Sequence, residues 1–320
     1  MDFSFSPQQE ELREQARSFL AARRSAGPAQ GWDPASWAEL AGLGWLGVSA
    51  PEAAGGAGLT FVEESILIEE MGRALYPGPY LATIALAAPA LGDERLAEVV
   101  RGERRWSARL GGEAALVPDL DKVDLVAVHR DGQMVAVPAR GEAVESIDPT
   151  RSLGRLEAGC GEVLLKGEEA AAAARLIELR MTVGLALEAV GVAQRALELG
   201  LEHACSREQF GKLIGTYQAV SHRLVDSHLE VELARSLACW AAWCVAEGEE
   251  DAALAGAAAR SAAADAAVAA CERSIQVCGG MGFTWESPLH RLYRRALWIA
   301  RFGGSPAQQR EAVAAALLDR

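Results

Sequence analysis

Three groups of residues in this sequence are of types that could do chemistry. The first is Arg207, in the run Ser-Arg-Glu-Gln-Phe-Gly-Lys (206–212), with Gln218 six residues past its end. A guanidinium makes paired, charge-assisted hydrogen bonds and so suits a diphosphate. An arginine that closes a helix C-terminus is the plainer use of the same side chain. The second group is Gln276 followed by Gly279 and Gly280. Glycines there let the backbone come close to a ligand, and they also stop a helix; both uses are compatible. The third is a set of acids. Glu178 and Glu188 lie three residues before and seven after Met181 on one helical face, and Glu286 sits in Thr-Trp-Glu-Ser-Pro. A carboxylate within hydrogen-bond reach of an acidic C–H is a general base. The six cysteines form no CxxC pair and read as small buried hydrophobes, so no metal site or disulfide is expected.

The composition limits where that chemistry can operate. With 320 residues the chain can build two or three domains with buried cores. Half the residues are hydrophobic, few are aromatic, and Ala-rich stretches fill the second half, so a mainly α protein is expected. A net charge of −13 repels phosphate backbones and anionic lipid, which argues against nucleic-acid and membrane-surface roles. An anionic small ligand needs only a few local arginines and stays open. No apolar run reaches transmembrane length free of charges and glycines, and the segment 1–15 lacks the apolar core of a signal peptide. A soluble, cytoplasmic protein is expected.

Three regions must position the candidate residues. Residues 1–92 read as helices. Ser6-Pro7-Gln8-Gln9 and Thr60-Phe61-Val62-Glu63 are capping boxes, and Asp33-Pro34 opens a helix that Gly42 and Gly44 end. Residues 93–172 read as a small, abbreviated β-domain with room for only a few strands. Its strongest signal is a hairpin around Asp131-Gly132, and Gly161–Gly167 is a further strand. Residues 173–320 read as a four-helix bundle, with long helices over about 174–206, 217–247 and 251–277. A short helix and a last one starting at the Ser305-Pro306 capping box follow.

Three stretches, 44–75, 189–226 and 276–296, together resemble the acyl-CoA dehydrogenase family. The resemblance implies a helical N-terminal domain, a central β-domain and a C-terminal four-helix bundle, assembled as a dimer of dimers. It also implies FAD at a subunit interface, where the bundle of one subunit grips the pyrophosphate and adenine of the neighbour's flavin. In the family a base removes the α-proton of an acyl-CoA thioester as the β-hydrogen leaves as hydride, and an electron-transfer flavoprotein is the expected acceptor. By position, Arg207 matches the arginine on the pyrophosphate, with Phe210 and Gln218 in the same cross-subunit site. Gln276, Gly279 and Gly280 match the loop that meets the flavin nucleotide, and Glu286 matches a structural glutamate.

The departures from that pattern are as informative. The family's base precedes the last helix, in an aromatic-Glu-Gly-Thr/Ser segment. Here the segment is Phe302-Gly303-Gly304-Ser305, so Gly303 stands at the base position, while Ser305 stays in the cofactor-binding set. The alternate base position on the first bundle helix is Met181, followed by Thr182; uncharged side chains there leave room for a bulky acyl chain. Glu178 and Glu188 are displaced from it by one to two turns, about 5–10 Å. The Glu-Pro-x-x-Gly-Ser-Asp and Trp-Ile-Thr segments that line the isoalloxazine are missing between 93 and 172. The chain thus resembles the short, base-lacking subunit of heteromeric, steroid side-chain type acyl-CoA dehydrogenases, as do Phe283-Thr284-Trp285-Glu286 and Asp148-Pro149-Thr150-Arg151. A homologous full-length subunit would then be its partner. Two alternatives stay open: a self-sufficient homomeric dehydrogenase with a relocated base, and a non-catalytic acyl-CoA-binding homologue.

Overall fold

The computed structural model describes residues 5–24, 32–111 and 115–318. Local capping signals start three helices at the expected residues. At α1 (Pro7–Arg24) the Ser6 N–H donates to Gln9 Oε1 at 2.8 Å, and the Gln9 N–H donates back to Ser6 Oγ at 3.2 Å. At α3 (Phe61–Ala74) the Thr60 N–H donates to Glu63 Oε2 at 2.9 Å. Between them α2 (Ala35–Gly42) ends before Gly44, which takes φ +74. The segment Leu81–Ala87 is a π-helical stretch whose seven residues are all buried.

The β-rich part opens with a helix, α4 (Asp93–Val100), rather than a strand. Asp93 and Glu94 supply first-turn acids, and Leu96 and Val99 form its buried face. Seven short strands follow among the described residues, more than the few expected, because each spans only two to six residues. β1 (Trp106–Arg109) runs parallel to β3 (Leu125–Arg130); β3 pairs antiparallel with β4 (Gln133–Pro138), and β4 with β7 (Glu162–Lys166). The β3–β4 link is the expected hairpin. Asp131 and Gly132 take φ +49 and +70, as a two-residue primed turn requires. The second sheet has the order β2 (Val117–Pro118), β6 (Leu153–Leu156), β5 (Gly141–Val144). Val126, Val128, Val135 and Val137 alternate along β3 and β4 and share one core with Val117, Leu120 and Leu156.

The helices that follow are α5 (Gly167–Ala204), α6 (Gln218–Glu247), α7 (Ala252–Cys278), α8 (Leu289–Ile299) and α9 (Pro306–Leu318). A small hairpin of β8 (Glu208–Gln209) and β9 (Lys212–Leu213) joins α5 to α6. Helix α5 begins seven residues earlier than expected. Glu168 and Glu169 favour its N-terminus, and the alanines that follow propagate the helix directly from β7. The chain is mainly α with a small β portion.

These elements condense into two compact units. The first comprises Met1–Arg24, Ile68–Tyr76 and Leu185–Arg320; the second comprises Ser25–Leu67 and Pro77–Gly184. In the first, Ala234, Ala238 and Ala241 of α6 and Ala255, Ala259 and Ala263 of α7 are nearly or fully inaccessible. Small side chains let such helices approach closely. Two glycines do the same at the crossing of α3 and α5. A Cβ on Gly72 would stand 2.3 Å from the Glu188 carbonyl oxygen, and one on Gly191 would stand 2.0 Å from that of Glu69.

Candidate functional site

The residues suited to a diphosphate sit at one end of the helical unit. Ala204 at the end of α5, Leu224 near the start of α6, and Val277 in the last turn of α7 share one apolar cluster with Ile214. That cluster brings together the segments carrying Arg207 and Phe210, Gln218, and Gln276 to Gly280. The chain leaves α5 through a tight turn, with the Arg207 N–H donating to the His203 carbonyl at 2.9 Å. The Ile214 N–H then donates to the Arg207 carbonyl at 2.9 Å, which closes the hairpin. At its tip Phe210 and Gly211 take φ +52 and +77, and Phe210 is 94% exposed. The Tyr217 hydroxyl donates to the Gln209 carbonyl at 3.1 Å, and the Lys212 ammonium lies 4.2 Å above the Tyr217 ring.

These contacts fix the hairpin backbone while the Arg207 side chain stays in solvent, without an ion pair among the described residues. Gln218 is the exposed first residue of α6, and Gln276 is exposed in the last turn of α7. Gly279 takes φ +60 and ends α7; neither it nor Gly280 has any atom within 4 Å of where a Cβ would stand. A free guanidinium beside open backbone is a donor set that fits a pyrophosphate. Phe283 and Trp285, 77% and 71% exposed, follow the glycines.

The acids are placed quite differently. Glu188 is buried and its carboxylate accepts from Arg295, which is also inaccessible. Arg260, buried in α7, donates to the carbonyls of Ile299 and, at 3.0 Å, Phe302. Burial pushes the Arg260 guanidinium down to about 10, with the Glu188 carboxylate opposing that fall. Glu188 is therefore a counter-ion inside the bundle. Glu178 faces solvent, with only its carbonyl engaged, by the Thr182 hydroxyl at 2.9 Å. Glu286 is exposed, and its own N–H and the Thr284 hydroxyl hold its carboxyl below the usual range, the opposite of what a base needs. Met181 and Thr182 are half-buried on α5.

At the expected base position Gly303 takes φ +71 and Gly304 takes +114. The Phe302 ring before them stacks on Trp298 with centroids 4.6 Å apart. Ser305 caps α9: its N–H donates to Gln308 Oε1 at 2.8 Å and its Oγ accepts from the Gln308 N–H at 3.3 Å. Sequence reasoning placed Ser305 with the cofactor set; here its polar atoms serve the helix.

The second unit holds polar groups that the sequence did not single out. Glu64 is fully buried and accepts from Ser49 Oγ and Arg180, each at 2.5 Å. Asp119 is buried, pairs with Lys122 at 2.7 Å, and accepts from Arg151, which also donates to the Gly78 carbonyl. The Asp148–Arg151 segment is thus a structural turn, in which Asp148 Oδ1 accepts from the Thr150 N–H and hydroxyl. A signal for Arg260 existed in the sequence, since it is the only basic residue in the Ala-rich first two-thirds of α7. Among the described residues there is no metal-ligating cluster, and no helix is long and apolar enough to cross a membrane.

The fold and these segments define a flavoprotein class: the chain belongs to the acyl-CoA dehydrogenase family. The family's N-terminal domain matches residues 6–94 and its C-terminal domain residues 170–318. The chain is 33% identical to the acyl-CoA dehydrogenase IpdE2 of Mycobacterium tuberculosis, over 93% of each protein. Among solved structures it resembles one from the Mycobacterium tuberculosis ChsE4-ChsE5 complex, at 23% identity and TM-score 0.87 over the whole of both chains. It also resembles a Tcur3481-Tcur3483 steroid ACAD variant, at 26% identity and TM-score 0.86 over 98% of both chains. The family uses FAD.

Proposed function

We propose that this chain is the base-lacking subunit of a heteromeric acyl-CoA dehydrogenase and completes the FAD site of a homologous, base-bearing partner. The observation that carries the reading is the contrast between its two half-sites. Arg207, Gln218 and the Gly279-Gly280 backbone stand open at one end of the helical unit. The expected base position is Gly303, and each candidate acid is buried in an ion pair (Glu188) or turned to solvent (Glu178, Glu286). Relatives solved as two-component assemblies support the same reading.

In that arrangement Arg207 would hold the pyrophosphate by charge-assisted hydrogen bonding. Gln276 and the Gly279-Gly280 backbone would approach the nucleotide where side chains would obstruct it. Phe210, held out by its left-handed turn, would add apolar contact to the cofactor. Bound FAD supplies the hydride acceptor, and the partner supplies the base that takes the α-proton. The acyl-CoA is a steroid side-chain thioester in this reading, and an electron-transfer flavoprotein reoxidises the assembly.

The test is co-purification with a base-bearing homologue from the same genome. Flavin absorbance at one FAD per heterodimer, lost with Arg207→Ala, is the expected result. A yellow homo-oligomer with one FAD per chain and its own turnover would overturn it. Acyl-CoA binding without flavin in any assembly would do so too.

A further inference from the structure

The second unit contains a cavity of about 510 Å³ between the end of β1, the β3–β4 hairpin and the end of β6. That is large enough for a small ligand. Its lining is unusual for a chain of net charge −13. Arg109, Arg130 and Arg155 reach it from three different strands, together with His129. Arg109 is 93% buried, its relative exposure being 7%. Arg130 and Arg155 form no ion pair among the described residues. The Nε2 atom of His129 is buried and has no hydrogen-bond partner among them. The floor is apolar, made by Val128, Val137 and Leu156 of the sheet core. Two carboxylates, Asp131 and Glu157, stand on the rim, so the guanidiniums outnumber the acids by three to two.

We propose that this cavity binds a phosphate ester with an apolar body, through residues other than those assigned to the cofactor. Three convergent guanidiniums match the several oxygens of a phosphate better than the two of a carboxylate. The aliphatic floor accepts the organic portion and takes apolar area out of water. The phosphate comes either from a free phosphorylated metabolite or from the nucleotide end of a CoA thioester. The inference does not depend on the flavin reading, because its residues lie between 109 and 157 and the residues assigned to the flavin between 207 and 280.

The test is calorimetric titration of the full chain, in whichever assembly it purifies, with inorganic phosphate, AMP, adenosine 3′,5′-bisphosphate and CoA. The variants are Arg155→Gln and the charge reversal Arg130→Glu/Arg155→Glu, both at accessible positions. Flavin content of the partnered assembly is read in parallel. Saturable binding of at least one probe is expected, weakened about tenfold by the single variant and about 100-fold by the double, with flavin content unchanged. Preference for adenosine 3′,5′-bisphosphate and CoA assigns the CoA end; preference for AMP or phosphate assigns a free metabolite. No binding of any probe at 10 mM (roughly the weakest affinity worth the name), or binding that both variants leave intact, overturns the proposal.

Discussion

Glu188 is the residue at which a catalytic and a structural role predict opposite results. It lies in the helix that carries the alternate base position, yet its side chain is 1% exposed and that of Arg295 is 0%. It also faces Arg260, a second buried guanidinium. Removing the carboxylate leaves two cations in a medium that cannot solvate them. Breaking one side of such a pair costs roughly 3–5 kcal/mol, two to nearly four powers of ten in the folding equilibrium. Against a typical stability of about 5–15 kcal/mol that is a large fraction. Replacing both partners of the pair with apolar groups removes the Arg295 share of the penalty and leaves that of Arg260, so Glu188→Leu/Arg295→Met is expected to recover part of the loss. Urea unfolding of Glu188→Leu, Arg295→Met and the double variant gives the coupling energy directly. A Glu188→Gln protein that keeps its stability within about 1 kcal/mol but loses turnover with its partner would refute the reasoning and make Glu188 the base.

Gly191→Ala is expected to cost about 3 kcal/mol or more, since its methyl would meet backbone 2.0 Å away; Gly92→Ala, with nothing within 4 Å, serves as the near-neutral control in the same melts. With a thiol reagent, the exposed Cys160 and Cys205 are expected to react fast, while buried Cys244 and Cys271 wait for unfolding; burial also holds Cys239 up at about 11. Burial opposes ionisation of Glu198, but Arg73 and Arg195 outweigh it and hold its carboxyl below the usual range. A depressed folded value means that stability is complete above the unfolded value, about 4.3, and is lost as pH falls through the folded one. Denaturant melts of Glu198→Gln are therefore expected to show a flatter loss below pH 5 than the parent, and an unchanged slope would contradict this ion pairing.

What the sequence made legible was what neighbouring residues decide. Ser6, Thr60 and Ser305 each find a capping partner three positions on, and Asp131-Gly132 takes the positive φ values of a primed two-residue hairpin turn. The Arg207 and Gly279 segments stood out as short runs of distinctive order, and their neighbours Ala204 and Val277 share one apolar cluster. The start of α5 was missed because the sequence reading ended the strand at Gly167 and kept 168–172 in the β-region, whereas the strand feeds straight into the helix. The role of Glu188 was hidden because its partner lies 107 positions away. The arginines of the strand cavity were missed likewise: β1, β3 and β6 supply one each, and only the fold makes neighbours of them.

The two glycines before α9 also bear on how this lineage can change. With φ +71 at Gly303 and +114 at Gly304, the backbone has settled where L-amino acids are penalised. A glutamate placed at 303 would begin with about 1 kcal/mol or more of conformational strain. It would also have to coexist with carbonyls that Arg260 grips just upstream. Installing an acid there therefore needs both a substitution and a rebuilt loop. The loop is an evolutionary ratchet: an acid at this position is easier to forgo than to install.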